Sequence, residues 1–148
     1  MPPVTTKSER AEWARHAEAS ISAAGLRAGG ARKAVVDLLA RQDCCLSAQE
    51  IRDALATEPG PTPGMASVYR ALDTLTDLHL VHRVDLGGHV AKYEPAHPGG
   101  DHHHHAVCDT CGSIHDVYVD DAPRLTGLDG FSVEHSHIVY RGTCAACS

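Results

Sequence analysis

The chain has 148 residues with thirteen Lys or Arg against nineteen Asp or Glu, a net charge of −6, which allows one domain or two small ones and argues against indiscriminate nucleic-acid binding. No stretch approaches the apolar length of a membrane span, and the N-terminus lacks a charged-then-apolar leader pattern, so a cytoplasmic protein with no membrane attachment is expected. In that compartment six cysteines read better as metal ligands than as disulfides. Residues 1–84 carry ten basic and ten acidic side chains, whereas residues 85–148 carry three against nine and hold nine of the twelve histidines. The acidic half is therefore the candidate metal-binding half, and the neutral half retains room for a locally basic face.

Residues 1–8 show no apolar periodicity and read as a loose arm. From Glu9 to Ala24, the residues Trp13, Ala17, Ile21 and Ala24 recur at three- and four-residue steps, one face of a helix that stops at Gly25. A second helix follows with Ala31, Val35, Leu38 and Leu39 on its buried side. Ser47-Ala48-Gln49-Glu50 is a capping-box pattern opening a third, whose inner face is Ile51, Ala54 and Leu55. The run Pro59 to Pro63 stops it. A fourth helix begins near Met65 with the stripe Val68, Leu72, Leu75 and Leu78. Ser67, Tyr69 and Arg70 fall outside that stripe near the helix start, where a helix-turn-helix recognition helix presents side chains to base edges and phosphates. An ordinary amphipathic helix with a solvated arginine would show the same pattern. Leu80 to Leu86 and His89 to Pro95 are two short β-type runs joined by Gly87-Gly88, which predicts a tight hairpin. Helices followed by a hairpin make a winged helix, and Pro98-Gly99-Gly100 then marks a hinge.

Beyond the hinge, His103 to Cys108, Ser113 to Val119 and Phe131 to Arg141 read as three strands. Asp120-Asp121-Ala122-Pro123 is a helix start with room for a turn or two before Gly127. So few elements bury little core unaided, and a metal and a second subunit are both expected to support them. Two Cys-x-x-Cys pairs, Cys108 with Cys111 and Cys144 with Cys147, have the spacing that lets each pair clasp one side of a tetrahedral Zn²⁺ ion. A closed four-cysteine site leaves no position for water, so its expected role is structural. The alternative is a redox dithiol, which normally opens a helix after a strand. In the run His102 to His105, an extended backbone puts His103 and His105 on one face and His102 and His104 on the other, so the run can serve two metal sites.

Together the histidine run, both cysteine pairs and the segment Ala66-Ser67-Val68-Tyr69-Arg70 resemble the ferric uptake regulator family of metal-dependent transcriptional repressors, over roughly Ala23 to Cys147. The resemblance implies an α+β chain: an N-terminal winged helix-turn-helix DNA-binding domain in residues 1–97 and a small α/β metal-binding dimerisation domain in residues 98–148. It further implies a homodimer that binds double-stranded operator DNA under control of a regulatory metal. Arg27 and Arg32 match basic positions that face DNA in the family, beside Ser67, Tyr69 and Arg70. Gly29-Gly30 stands where the family usually has Thr-Pro, which makes the start of the second helix less rigid.

Carried over residue by residue, the regulatory donors implied are Cys45, Glu94, His103, His105 and Asp116. The family commonly has His at the position of Cys45, and a soft thiolate there favours zinc over iron or manganese. The competing reading of Cys45 is a small buried hydrophobe. His82 and His97 lie near ligand positions of the zinc-uptake branch, and either could replace Cys45 or Glu94. A third family site would take His102 and His104. Its helix Glu position falls on Pro123 or in the shortened segment and its last-strand position on Ser136, so the flanking His135 and His137 would reach it only through a shift of strand register. The expectation is a zinc-sensing repressor with structural Zn²⁺ and regulatory Zn²⁺ or Fe²⁺, and not an enzyme. An iron- or peroxide-responsive repressor is the alternative within the family; a zinc-dependent hydrolase or a dithiol oxidoreductase is the alternative outside it. Against the hydrolase, the chain has no His-Glu-x-x-His and no Glu placed as a base beside a histidine pair.

Overall fold

The computed structural model describes residues 6–97, 103–119, 124–134 and 136–148. They belong to two compact units that divide at about residue 101. The proposed hinge Pro98-Gly99-Gly100, the helix start Asp120 to Pro123, and His102 and His135 lie outside the described residues.

The first unit opens with α1 (Lys7–Ala23), which starts earlier than periodicity predicts. Thr6 accepts a hydrogen bond from the Glu9 backbone N–H while the Glu9 carboxylate accepts from the Thr6 N–H, a capping box inside the segment expected to be a loose arm. Trp13, Ala17 and Ile21 are buried as the spacing requires, but Ala24 is the exposed C-cap and leaves the stripe. Next come α2 (Ala31–Arg41) and α3 (Ala48–Ala56), the latter capped by Ser47 and Glu50 in the expected reciprocal pair. Gly30, at the N-cap of α2, has φ 64°, a conformation that favours glycine. The position where Gly29-Gly30 replaces Thr-Pro thus has a backbone that proline could not adopt. In α4 (Met65–Asp77), Val68, Ala71, Leu72 and Leu75 face the core.

The strands of this unit are β1 (Leu46–Ser47), β2 (Val81–Val84) and β3 (Lys92–Pro95), in the antiparallel order β1-β3-β2. The two-residue β1 is too short to register as a periodic pattern. The β2–β3 hairpin is wider than Gly87-Gly88 suggested: pairing stops at Val84 opposite Lys92, leaving residues 85–91 as its loop. Of the glycine pair only Gly87 takes positive φ, and it donates its N–H to the Asp85 carboxylate, an Asx turn. Leu86 is buried, which draws the loop's start back toward the protein. The core joins Trp13, Ile21, Val35, Leu39, Ile51, Leu72, Leu75 and Tyr93 across all four helices and the sheet. Trp13 is locked there by its indole N–H donating to the Leu80 carbonyl at 3.0 Å. Helices and a three-stranded wing make the first unit a winged helix-turn-helix.

The second unit is built on β4 (His104–Cys108), flanked by antiparallel β5 (Ile114–Val117) and parallel β6 (Val139–Gly142). The last strand is shorter than Phe131 to Arg141, since residues 131–134 and 136–138 are not strand. Parallel pairing sets the start of β6 beside the start of β4, the same end at which antiparallel β5 finishes. No helix is present among the described residues of this unit, and no described helix of the chain is long and apolar enough to cross a membrane.

Candidate metal centre

Cys108 closes β4, Cys111 sits in the turn after it, and Cys144 and Cys147 follow β6, the parallel neighbour of β4. That pairing brings the two Cys-x-x-Cys turns side by side, each closed by a backbone hydrogen bond: Gly112 N–H to the Cys108 carbonyl, and Cys147 N–H to the Cys144 carbonyl, both 2.9 Å. All four sulfurs lie within 4.8 Å of one another. The Cys111 and Cys144 Sγ atoms are 3.7 Å apart, against about 3.8 Å for the edge of a tetrahedron with 2.3 Å zinc–sulfur bonds.

Their titration follows from their neighbours. The Cys144 backbone N–H, then that of Cys111, donates to Cys108 and pulls its thiol down to about 6. The Ser113 hydroxyl and N–H lower Cys111. Cys147, crowded by Cys111 first and Cys144 next, is pushed up to about 12. Four clustered sulfurs cannot all ionise unless a cation stands among them. The donor set therefore fits a closed, four-coordinate Zn²⁺.

A second set lies on one face of the β4–β5 pair. His105 stands directly opposite Asp116, so the two side chains share a face, and His103 is one repeat away on that face. The Asp116 carboxylate is 3.7 Å from His105 Nε2 and 3.9 Å from His103 Nε2. The His103 and His105 ring centroids are 4.9 Å apart, and Tyr118 packs on His103 at 5.9 Å. His105 is fully buried.

His137, expected to join His104 in a third site only through a shift of strand register, has its Nε2 2.7 Å from His105 Nδ1, and its ring centroid lies 5.0 Å from that of His105 and 6.3 Å from that of His104. His104, also buried, has its Nδ1 taken by the Ile138 backbone N–H at 3.1 Å. The reason is the parallel register, His105 opposite Val139, which brings the residues just before β6 against β4. Nothing in local sequence signals this.

In the first unit, Cys45 precedes β1 and is 3% exposed, beside Glu94 of β3, itself buried. Cys44, half-buried, has its sulfur 3.6 Å from that of Cys45. The Cys44 contact first, then burial, and then the Glu94 charge drive the Cys45 thiol strongly upward. His82 is exposed and stands directly across from Glu94 in the β2–β3 register, so both leave the sheet on one face. His97 instead packs against Trp13, with ring centroids 6.3 Å apart.

The outer face of α4 carries Tyr69, half exposed, and Arg70, exposed, whose guanidinium donates to Ser67 Oγ at 3.1 Å. Arg32 bridges α2 to α4, its Nε donating to Thr74 Oγ1 and Nη1 to the Arg27 carbonyl. The Arg27 side chain is exposed midway along the α1–α2 loop. Sequence reading missed Cys44, Ser113 and His115; the last closes a chain from Cys111 Sγ through Ser113 Oγ to His115 Nε2, at 3.2 and 3.1 Å. The i, i+2 spacing of Ser113, just before β5, and His115 within it was the available signal for the two.

The sequence model of the ferric uptake regulator family matches residues 23–141. The chain is 32% identical over 116 residues to the ferric uptake regulation protein of Bacillus subtilis strain 168, covering 75% of this chain and 77% of that one. It is 29% identical over 149 residues to the zinc uptake regulation protein of Escherichia coli K12, covering 95% and 84%. Among solved structures, it is similar to a zinc uptake regulator complexed with zinc and DNA, with a TM-score of 0.59 at 27% identity over 93% of each chain.

Proposed function

The chain belongs to the ferric uptake regulator family of metal-responsive transcriptional regulators, and we propose that within it the protein is a homodimeric, zinc-responsive repressor of operator DNA. In this reading residues 1–97 bind DNA and residues 98–148 hold metal and dimerise. The four-cysteine cluster holds a structural zinc, which when bound neutralises the thiolates and cross-links the two turns. The regulatory donors in this reading are His103, His105, Asp116, Cys45 and Glu94, His82 being the alternative to Cys45. Ser67, Tyr69 and Arg70 on α4, with Arg27 and Arg32, face DNA.

The observation that carries zinc over iron is Cys45, a buried thiol beside Glu94 where a harder donor would suit iron better. The similarity to the E. coli zinc uptake regulation protein over nearly the whole chain supports it. The carboxylate and imidazoles of Asp116, His103 and His105 favour the second reading, an iron- or peroxide-responsive repressor. Operator binding titrated with zinc, iron, manganese and nickel separates the two. Stimulation at the lowest free concentration by zinc supports the proposal, and preference for iron or manganese overturns it.

A further inference from the structure

Two adjacent cysteines, Cys44 and Cys45, precede the capped start of α3, and the family position accounts for only the second. A trans dipeptide in an extended chain sends consecutive side chains to opposite sides, yet here the two sulfurs approach to 3.6 Å. With metal–sulfur bonds of about 2.3 Å, that separation subtends about 103° at an ion, near the tetrahedral angle. A disulfide would require the sulfurs to close to about 2.05 Å; a chelate requires no movement. Cys45 is buried beside Glu94 and Cys44 is half-buried.

We propose that Cys44 and Cys45 act together as a chelating dithiol for a soft, thiophilic cation, so that Cys44 is a second sulfur donor in the regulatory set. This rests on the reading of Cys45 as a metal donor. Binding displaces the thiol protons to solvent as both sulfurs become thiolates, and the resulting set of two sulfurs with the nearby Glu94 carboxylate discriminates against hard cations.

The test is a Cd²⁺ titration of zinc-replete full-length protein, with zinc retention at the four-cysteine cluster checked by metal analysis. Wild type, Cys44→Ser, Cys44→Ala and Cys45→Ser are compared by sulfur-to-cadmium charge-transfer absorbance and operator binding, with circular dichroism as the folding control. For the additional ion, wild type should show the absorbance of two thiolates. Both Cys44 variants should halve it and weaken cadmium binding about tenfold or more, as expected when a tethered second donor is lost. Should the Cys44 variants keep full absorbance and affinity while Cys45→Ser loses both, the chelate is overturned and Cys45 stands as a single donor. Wild-type cadmium binding and metal response in Cys45→Ser would overturn the chelate and the regulatory reading of Cys45 together.

Discussion

Cys108 and Cys147 share one sulfur cluster, yet their thiols are driven in opposite directions, to about 6 and about 12. Cys108 receives backbone N–H groups, which favour its thiolate, whereas Cys147 meets other sulfurs, which disfavour it until a cation stands among them. Cys108→Ser is expected to lower bound zinc by near one per chain and to abolish cooperative melting of the second unit; retained zinc with wild-type melting would show the cluster is not structural. On the face proposed to meet DNA, Arg70→Ala should weaken operator binding by about 1–3 kcal/mol and relax base preference at one position, if the guanidinium reads a base edge. A binding curve and preference matching wild type would return Arg70 to the solvated face of an ordinary helix.

Helices α1 and α4 end in the same way. After α1, Gly25 takes φ 76° and Leu26 N–H reaches back to the Ile21 carbonyl; after α4, His79 takes φ 56° and Leu80 N–H reaches the Leu75 carbonyl. Both are Schellman ends, but only the first has the residue the left-handed position favours. His79→Gly should therefore stabilise the winged helix by about 0.5–1 kcal/mol, measured by urea unfolding, and a loss would mean the histidine side chain contributes more than its backbone costs. The start of α3 joins local capping to tertiary structure, because Glu50 both closes the box with Ser47 and pairs with Lys92 of β3 at 2.8 Å. Burial works to raise the Glu50 pKa, but Lys92 and the Ser47 N–H outweigh it and hold the group below 4.5. A carboxylate with a folded-state pKa below its unfolded one stabilises the fold at higher pH and loses that contribution as pH falls through the folded value. The first unit should lose stability on acidification below about pH 4.5, and Glu50→Gln should flatten that part of the profile. Identical wild-type and variant profiles between pH 7 and 3 would exclude Glu50 as the group responsible.

At the scale of the whole chain, the proposed function gives the reading of DNA to the neutral, helix-rich unit and the holding of metal to the acidic, histidine-rich unit. For a repressor of this kind the metal must favour the DNA-competent state, and about 3 kcal/mol of coupling per dimer is already on the order of a hundredfold in operator affinity. His105→Ala and His105→Asn should both abolish metal-stimulated operator binding while leaving the four-cysteine zinc and the dimer in place; a preserved metal response would remove His105 from the regulatory set. The features legible from sequence were those whose cause is local. Four helices follow from 3.6-residue stripes of Leu, Val and Ile, the α3 cap from Ser47 and Glu50, and the four-cysteine cluster from its two Cys-x-x-Cys spacings. Period-two alternation likewise put His103 and His105 on one face. Tertiary structure decided what depends on partners distant in the chain. The parallel pairing of β6 with β4 brought His137 against His105, burial of Leu86 widened the wing loop, and the two-residue β1 set Cys45 beside Glu94. No local pattern encodes these, because a strand's neighbour and register are chosen by the sheet it joins, and the sheet exists only once segments thirty or more residues apart have met.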